Sequence, residues 1–203
     1  MRLHLVRHAR TEYNTAGRLQ GWCDSPLTAD GLEQLRATAA HLAEVELTGA
    51  WASPSGRTMA TAREILRHHD GLRLRADDGL REYSFGTLEA RPEPELYAQL
   101  DPYAFFADVI TGTHPGLPGG EPAAAYLARI TDTFARILRT HAEGDVLVVT
   151  HGVTLFTYLA RLGHNGRTGL SNCSVTTVEI IENRAMVLDV GFVPPIFVPH
   201  SVS

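Results

Sequence analysis

The chain has 203 residues, 44% of them hydrophobic and 20% charged, with a formal net charge of -5. That length suits one domain, or a core domain carrying an insertion, because domains usually hold about 100–200 residues; the composition excludes a disordered or fibrous chain. The negative balance argues against a general nucleic-acid binder, which needs a basic patch for backbone phosphates. All 18 basic residues are Arg, which excludes Schiff-base or P-loop lysine chemistry. Cys23 and Cys173 form no CxxC pair, so neither a zinc ribbon nor a thioredoxin-type redox site is indicated. No apolar run approaches the ~18 residues that spanning a membrane needs, and a cytoplasmic protein without a membrane partner is expected.

In chain order, a first strand is predicted over Arg2 to Val6, then a helix from an N-cap at Thr28 to about Glu44 with Leu32, Leu35, Ala39 and Leu42 on one face. A strand follows through Ala50-Trp51-Ala52. Beyond Ser53-Pro54 a second helix is predicted to about His68, with Pro54 in its first turn and Met59, Ala62, Ile65 and Leu66 forming its apolar face. Leu72 to Ala76 reads as a strand. From Arg91 to Gly120, Pro92, Pro94, Pro102, Pro115 and Pro118 break the chain into short pieces among which Tyr97, Tyr103, Phe105 and Phe106 gather; this segment is expected to be an inserted lid.

A long helix from about Pro122 to His141, a strand from Asp145 to Thr150, and a helix from His151-Gly152 to a cap near Gly163 come next. Ser174 to Ile181 and Ala185 to Phe192 read as strands of a hairpin turning at Glu182-Asn183, whose edge offers a place for a homodimer to form. The alternation of strands and helices predicts a three-layer α/β/α fold with a mainly parallel sheet, one domain over residues 1–203.

Three strands run into reactive residues: the first into Arg7-His8, the second into Ser53-Pro54 with Arg57 a turn later, and the Asp145 strand into His151-Gly152. Ligands of open parallel sheets bind beyond the carboxyl ends of the strands, so two histidines and two arginines should face one crevice. Helix N-termini after Ser53 and His151 would favour an anion there, and guanidinium groups can take phosphoryl oxygens in bidentate fashion. Taken singly, each of these residues also has a structural explanation, as an ion-pair partner or a satisfied strand-end histidine.

The run Arg7-His8-Ala9-Arg10-Thr11-Glu12-Tyr13-Asn14, continued by Arg18-Leu19-Gln20-Gly21-Trp22-Cys23-Asp24-Ser25-Pro26-Leu27-Thr28, resembles the opening signature of the histidine phosphatase superfamily, the phosphoglycerate mutase-like proteins. The likeness continues through Ser53-Pro54, Arg57, Leu80-Arg81-Glu82-Tyr83-Ser84-Phe85-Gly86, Gly119-Gly120-Glu121, Val149-Thr150-His151-Gly152 and Asn172-Cys173-Ser174. The resemblance implies His8 as the nucleophile that becomes phosphohistidine, Arg7, Arg57 and His151 around the transferred group, Glu82 as proton donor and Asn14 reaching the phosphate. Gly152 and Gln20 lie in the matched motifs and count as candidate phosphate-site residues, with Arg10 and Arg81 available for a second anionic group. Two positions depart from the family pattern. Ala9 stands where Gly usually follows Arg-His, and Leu88-Glu89-Ala90 where Trp-Glu-Gly is common; a positive φ at residue 9 would be strained.

The expected reaction is hydrolysis of a small-molecule phosphate monoester with no metal and no cofactor. One nitrogen of His8 attacks phosphorus while a backbone carbonyl holds the proton on the other, and Glu82, near an apolar rim, stays protonated by partial desolvation to serve the leaving oxygen. A metal hydrolase drawing on His4, His8 and His151 is the rival from another class, although HExxH spacing is absent. Within the family the alternative is a cofactor-dependent phosphoglycerate mutase, whose proton-donor motif usually reads Glu-Arg-His-Tyr-Gly where this chain has Glu82-Tyr83-Ser84-Phe85-Gly86. A non-catalytic phosphate-binding regulatory protein is the third.

Overall fold

The structure is a computed structural model, and residues 1–164, 169–182 and 184–196 are described. Its centre is a six-stranded sheet in the order β3-β2-β4-β1-β5-β6, built from β1 (Arg2–Arg7), β2 (Leu47–Ala52), β3 (Leu74–Ala76), β4 (Asp145–Thr150), β5 (Val175–Ile181) and β6 (Arg184–Phe192). The first four are mutually parallel, while β5 runs antiparallel to β1 and β6 antiparallel to β5. β1 and β4 are apolar on both faces because both are covered. Leu3, Leu5, Val146 and Val148 point into one core cluster, and Val6, Leu147 and Val149 into the other.

Seven α-helices are described, α1 (Glu12–Thr15), α2 (Ala29–Leu42), α3 (Gly56–Leu66), α4 (Glu93–Tyr97), α5 (Pro102–Thr111), α6 (Ala123–Thr140) and α7 (Gly152–Arg161), with two single 3-10 turns at Asp78–Leu80 and Gly86–Leu88. α2 and α3 cover one face of the sheet through Leu35, Ala39, Leu42, Ala62 and Ile65. On the other face α6 contributes Tyr126, Ile130, Phe134 and Ile137 at helical spacing, and Phe134 stacks on Tyr158 of α7 with ring centroids 3.5 Å apart. Thr28 caps α2 by accepting from the Gly31 amide at 3.0 Å, and Gly163 follows α7 with φ 80°, the left-handed position that favours glycine.

The structure departs from several expected details. Pro54 precedes the N-cap Ser55 and does not occupy the first turn of α3. In α2, Gly31 and Thr38 are buried while Leu32 is exposed; in α3 Met59 and Leu66 pack against the core beside Ala62 and Ile65 as expected, but Arg57, Thr58 and Thr61 are buried as well. The inward face of α3 is partly polar because it carries a buried arginine and its partners, which apolar periodicity does not reveal. β3 begins at Leu74, and α2 and α3 end at Leu42 and Leu66. The hairpin pairs Ile181 with Arg184, and its turn residue Asn183 lies outside the described residues.

Residues 91–120 supply α4 and α5. Leu96, Phe105, Val109 and Leu117 from this stretch join the core cluster beside Tyr83 and Tyr126, whereas Tyr97 and Tyr103 are exposed. The aromatic group singled out in the sequence is therefore divided between packing and surface.

Candidate active site

The sheet register sets three strand tips level. Arg7 of β1 lies opposite Thr150 of β4, and the His8 amide donates to the Thr150 carbonyl at 3.0 Å. Ala52 of β2 lies opposite Val149, and the Ser53 amide donates to the Val149 carbonyl at 3.0 Å. His8, Ser53 and His151 consequently leave the sheet side by side. The His8 and His151 rings meet edge-on at 5.3 Å between centroids, and both residues are buried.

His8 is held in one tautomer. Its Nδ1 lies 2.8 Å from the Ala9 carbonyl, an acceptor only, so Nδ1 carries the proton and Nε2 its lone pair. Among the described residues nothing donates to Nε2. Burial, first, and then the charges of Arg57 and Arg7 hold the His8 imidazole well below its ordinary titration range. Ala9 is fixed in turn: its amide donates to Thr61 Oγ1 at 2.9 Å, and that hydroxyl donates to the Arg57 carbonyl. Ala9 is not among the residues with positive φ, so no strain arises there, whereas Ala90 sits at φ 64° in the region that favours glycine.

Arg57 is buried and reaches His151 from the first turn of α3. Its Nη2 donates to His151 Nδ1 at 2.9 Å, and His151 Nε2 meets Ser53 Oγ at 2.8 Å. Since an arginine only donates, His151 Nδ1 must be the acceptor and Nε2 carries the proton. Burial and then the Arg57 charge lower the His151 pKa strongly, so this ring too is neutral. Nη1 and Nη2 of Arg57 also serve the carbonyls of Gln20, Gly21 and Cys23 and the Asp24 carboxylate at 3.0 Å. Arg7 Nη1 donates to the Leu170 carbonyl, and Gly152 packs against the Arg7 guanidinium. Burial is the main cause lowering the Arg7 pKa, opposed by the Glu82 carboxylate.

Among the described residues, the Nε–H of Arg7 and that of Arg57 are buried without a partner. Buried donors are almost always satisfied, and two unsatisfied guanidinium donors near a neutral imidazole fit an anion that completes them. The bidentate grip expected of Arg57 is not available in this arrangement, because its Nη atoms are taken by the protein and only Nε–H remains.

Glu82 is buried, but against the start of α7 rather than under an apolar rim. Its Oε1 accepts from the amides of Tyr83 and Thr154 and from Thr154 Oγ1, and its Oε2 from the Val153 amide at 2.9 Å. The helix N-terminus supplies these free amides. Arg129 of α6 holds the chain leading to Glu82 by donating to the Gly79, Arg81 and Glu82 carbonyls, and is itself paired with Glu121.

The remaining candidates separate into two groups. Asn14 Oδ1 accepts from Thr11 N and from Asn172 Nδ2, and the same Asn172 amide donates to the His8 carbonyl at 2.9 Å. Gln20 is buried with its amide engaged by Thr11 and Ser25, which makes it a support of the loop. Arg81 turns to Asp78 at 2.7 Å and to the face of Trp22. Arg10 is exposed in a cleft of ≈ 570 Å³ that Arg7, Asn14, Asp30, Gln34, Glu93 and Asn172 also line. His4 pairs with Asp145 at 2.7 Å, away from the strand tips, and among the described residues no three His, Cys, Asp or Glu side chains gather as a metal site. Burial pushes both thiols, Cys23 and Cys173, up to about 12, so neither is a thiolate nucleophile.

Sequence reasoning gave no role to Ser53 on His151, Asp24 on Arg57, Glu89 on the loop at Gly21–Cys23, or Arg129. Ser53, Asp24 and Glu89 stand in stretches already noted, which was the available signal. Arg129 lies on an amphipathic helix and gives none.

A layered α/β sheet whose parallel strand tips bring together a neutral histidine, the half-buried Arg7 and the buried Arg57 of α3 is the architecture of a phosphate-handling class of protein. Residues 3–192 match the model of the histidine phosphatase superfamily (branch 1), and the chain belongs to that family. It is 32% identical over 189 residues to the probable phosphoglycerate mutase GpmB of Enterobacter sp. (strain 638), covering 90% of this chain and 86% of that protein. Among solved structures, YhfR of Bacillus stearothermophilus aligns with a TM-score of 0.82 at 31% identity, over 94% of this chain and 96% of the other. The alpha-ribazole phosphatase of Shigella flexneri aligns with a TM-score of 0.80 at 27% identity, over 95% and 96%.

Proposed function

We propose that the protein is a phosphate monoester hydrolase working through phosphohistidine on His8 without a metal. The observation that carries this reading is the neutral His8 imidazole, its Nδ1 proton taken by the Ala9 carbonyl, beside the two unpartnered Nε–H donors of Arg7 and Arg57. The Nε2 lone pair attacks phosphorus and the ester P–O bond breaks. Charge building on the equatorial oxygens is met by Arg7, Arg57 and the side-chain NH2 of Asn14, whose amide oxygen is held by Asn172. The leaving alkoxide takes a proton from Glu82 Oε2, the oxygen that accepts the single Val153 bond. A water then attacks phosphorus, gives its proton back to Glu82, and the Nε2–P bond breaks to release inorganic phosphate. Residues 91–120 act as the lid over this chemistry, and the substrate is a small phosphate monoester entering by the cleft beside Arg7.

A phosphoglycerate mutase is the second reading, supported by the names of relatives such as that from Enterobacter. The proton-donor stretch weighs against it, reading Glu82-Tyr83-Ser84-Phe85-Gly86 where mutases usually have Glu-Arg-His-Tyr-Gly; the cleft beside Arg7 carries both signs, Asp30 and Glu93 with Arg7 and Arg10. The test is turnover of p-nitrophenyl phosphate and of 3-phosphoglycerate by purified protein in the presence of chelator. Hydrolysis in wild type and none in His8→Ala is the expected result. Near-normal hydrolysis by His8→Ala, or activity that chelator removes and zinc or manganese restores, defeats the proposal; isomerisation of phosphoglycerates faster than hydrolysis selects the mutase.

A further inference from the structure

Gln20 to Asp24 form a strap passing between two charged side chains. On one side the Glu89 carboxylate accepts from the amides of Gly21 at 3.1 Å, Trp22 at 2.9 Å and Cys23 at 3.0 Å, and also from the Phe85 amide at 2.9 Å. On the other, the Arg57 guanidinium donates to the carbonyls of Gln20 at 3.3 Å, Gly21 at 2.8 Å and Cys23 at 2.8 Å. Two consecutive peptide groups, Gln20–Gly21 and Gly21–Trp22, therefore each present their N–H to Glu89 and their C=O to Arg57. Each is a dipole lying between an anion and a cation in the favourable direction. Gly21 suits this place because a Cβ would run into the Tyr83 carbonyl and Glu89 itself.

We propose that Glu89 is a positioning residue that sets the phosphate grip of Arg57 through these two peptide groups, a role that rests on the hydrolase reading above. The strap occupies both Nη atoms of Arg57, fixing the guanidinium so that Nε–H is the donor left for the anion and Nη2 stays on His151. Without the carboxylate, three strap amides lose their acceptor, the strap relaxes, and Arg57 loses the frame that orients it.

The test is a double-mutant cycle on the full chain with Glu89→Gln, Arg57→Ala and the pair. It reads inorganic phosphate affinity by calorimetry and by inhibition of p-nitrophenyl phosphate turnover, with melting temperature as a control. Glu89→Gln should weaken phosphate about tenfold, or about 1.4 kcal/mol, and should weaken it less than about twofold once Arg57 is Ala. Unchanged phosphate affinity in Glu89→Gln, or the same loss in both backgrounds, overturns the proposal, since a merely structural staple would act independently of Arg57. Glu89→Asp, which keeps the charge but withdraws it by one methylene, carries the same cycle where Glu89→Gln does not fold. Phosphate binding without turnover defeats the hydrolase reading while the calorimetric cycle still decides the role of Glu89; a wild type that binds no phosphate defeats both.

Discussion

Two imidazoles kept neutral by burial make a definite demand on stability as pH falls. His8 and His151 have folded-state pKa values well below the ordinary 6.5, from desolvation first and from Arg57 next. In the unfolded chain both return to about 6.5, so below that value the unfolded state binds more protons and gains on the folded one. The stability these rings contribute is present above about pH 6.5 and is lost on acidification. Between about pH 7 and pH 5.5, a single ring that stays neutral in the folded state removes at most RT ln[(1 + 10^(6.5−5.5))/(1 + 10^(6.5−7))], about 1.2 kcal/mol, and the two together at most about 2.5 kcal/mol. Urea unfolding at both pH values measures this, in a phosphate-free buffer because an anion bound only to the folded state would add its own stabilisation. His8→Gln removes one of the two protons, so its loss should be smaller than that of wild type by up to about 1.2 kcal/mol, with every other titrating group common to both. Equal losses in variant and wild type would show that His8 titrates alike folded and unfolded, and the argument for a preformed neutral nucleophile would fail.

Three further outcomes are expected. Ala90→Gly relieves a left-handed backbone at φ 64° and should raise unfolding free energy by about 1 kcal/mol, less the entropy that glycine adds to the unfolded chain, as read by urea denaturation. Arg129→Ala leaves the Gly79, Arg81 and Glu82 carbonyls and the Glu121 carboxylate without their common donor; a loss of roughly 1.5–3 kcal/mol is expected in the same assay. Glu82→Gln should slow transfer from a poor leaving group to His8 by ~10²–10⁴, with a smaller effect on the single-turnover burst of nitrophenolate from p-nitrophenyl phosphate, whose phenolate needs little protonation; an equal effect on both transfer steps would argue against proton donation.

The strands and the order of site residues along them were readable because each has a local cause. Val146 to Val149 is an unbroken apolar run buried on both faces, and Arg7, Ser53 and His151 stand directly at strand ends, where register alone brings them together. What the residues around the reactive groups do was not readable. Arg57 looked like a free phosphate clamp, yet most of its donors serve backbone carbonyls of a loop some 35 positions earlier in the chain, and no periodicity encodes a side chain reaching a backbone. Glu82 was assigned an apolar rim from its neighbours in sequence, whereas its surroundings come from the first turn of α7. The two glycine departures looked alike on paper, and only backbone angles distinguish them: Ala9 costs nothing, Ala90 is strained.

Placing the candidate site at the tips of β1, β2 and β4 also governs when that site is assembled during synthesis. His8, Arg57, Glu82 and His151 come from distant stretches, and β1 meets β4 only through pairing across most of the chain. Contacts of such long sequence separation form late in folding. An emerging or partly folded chain therefore carries no fragmentary site, and on the hydrolase reading the groups that would handle a phosphate ester come together only when the sheet has closed.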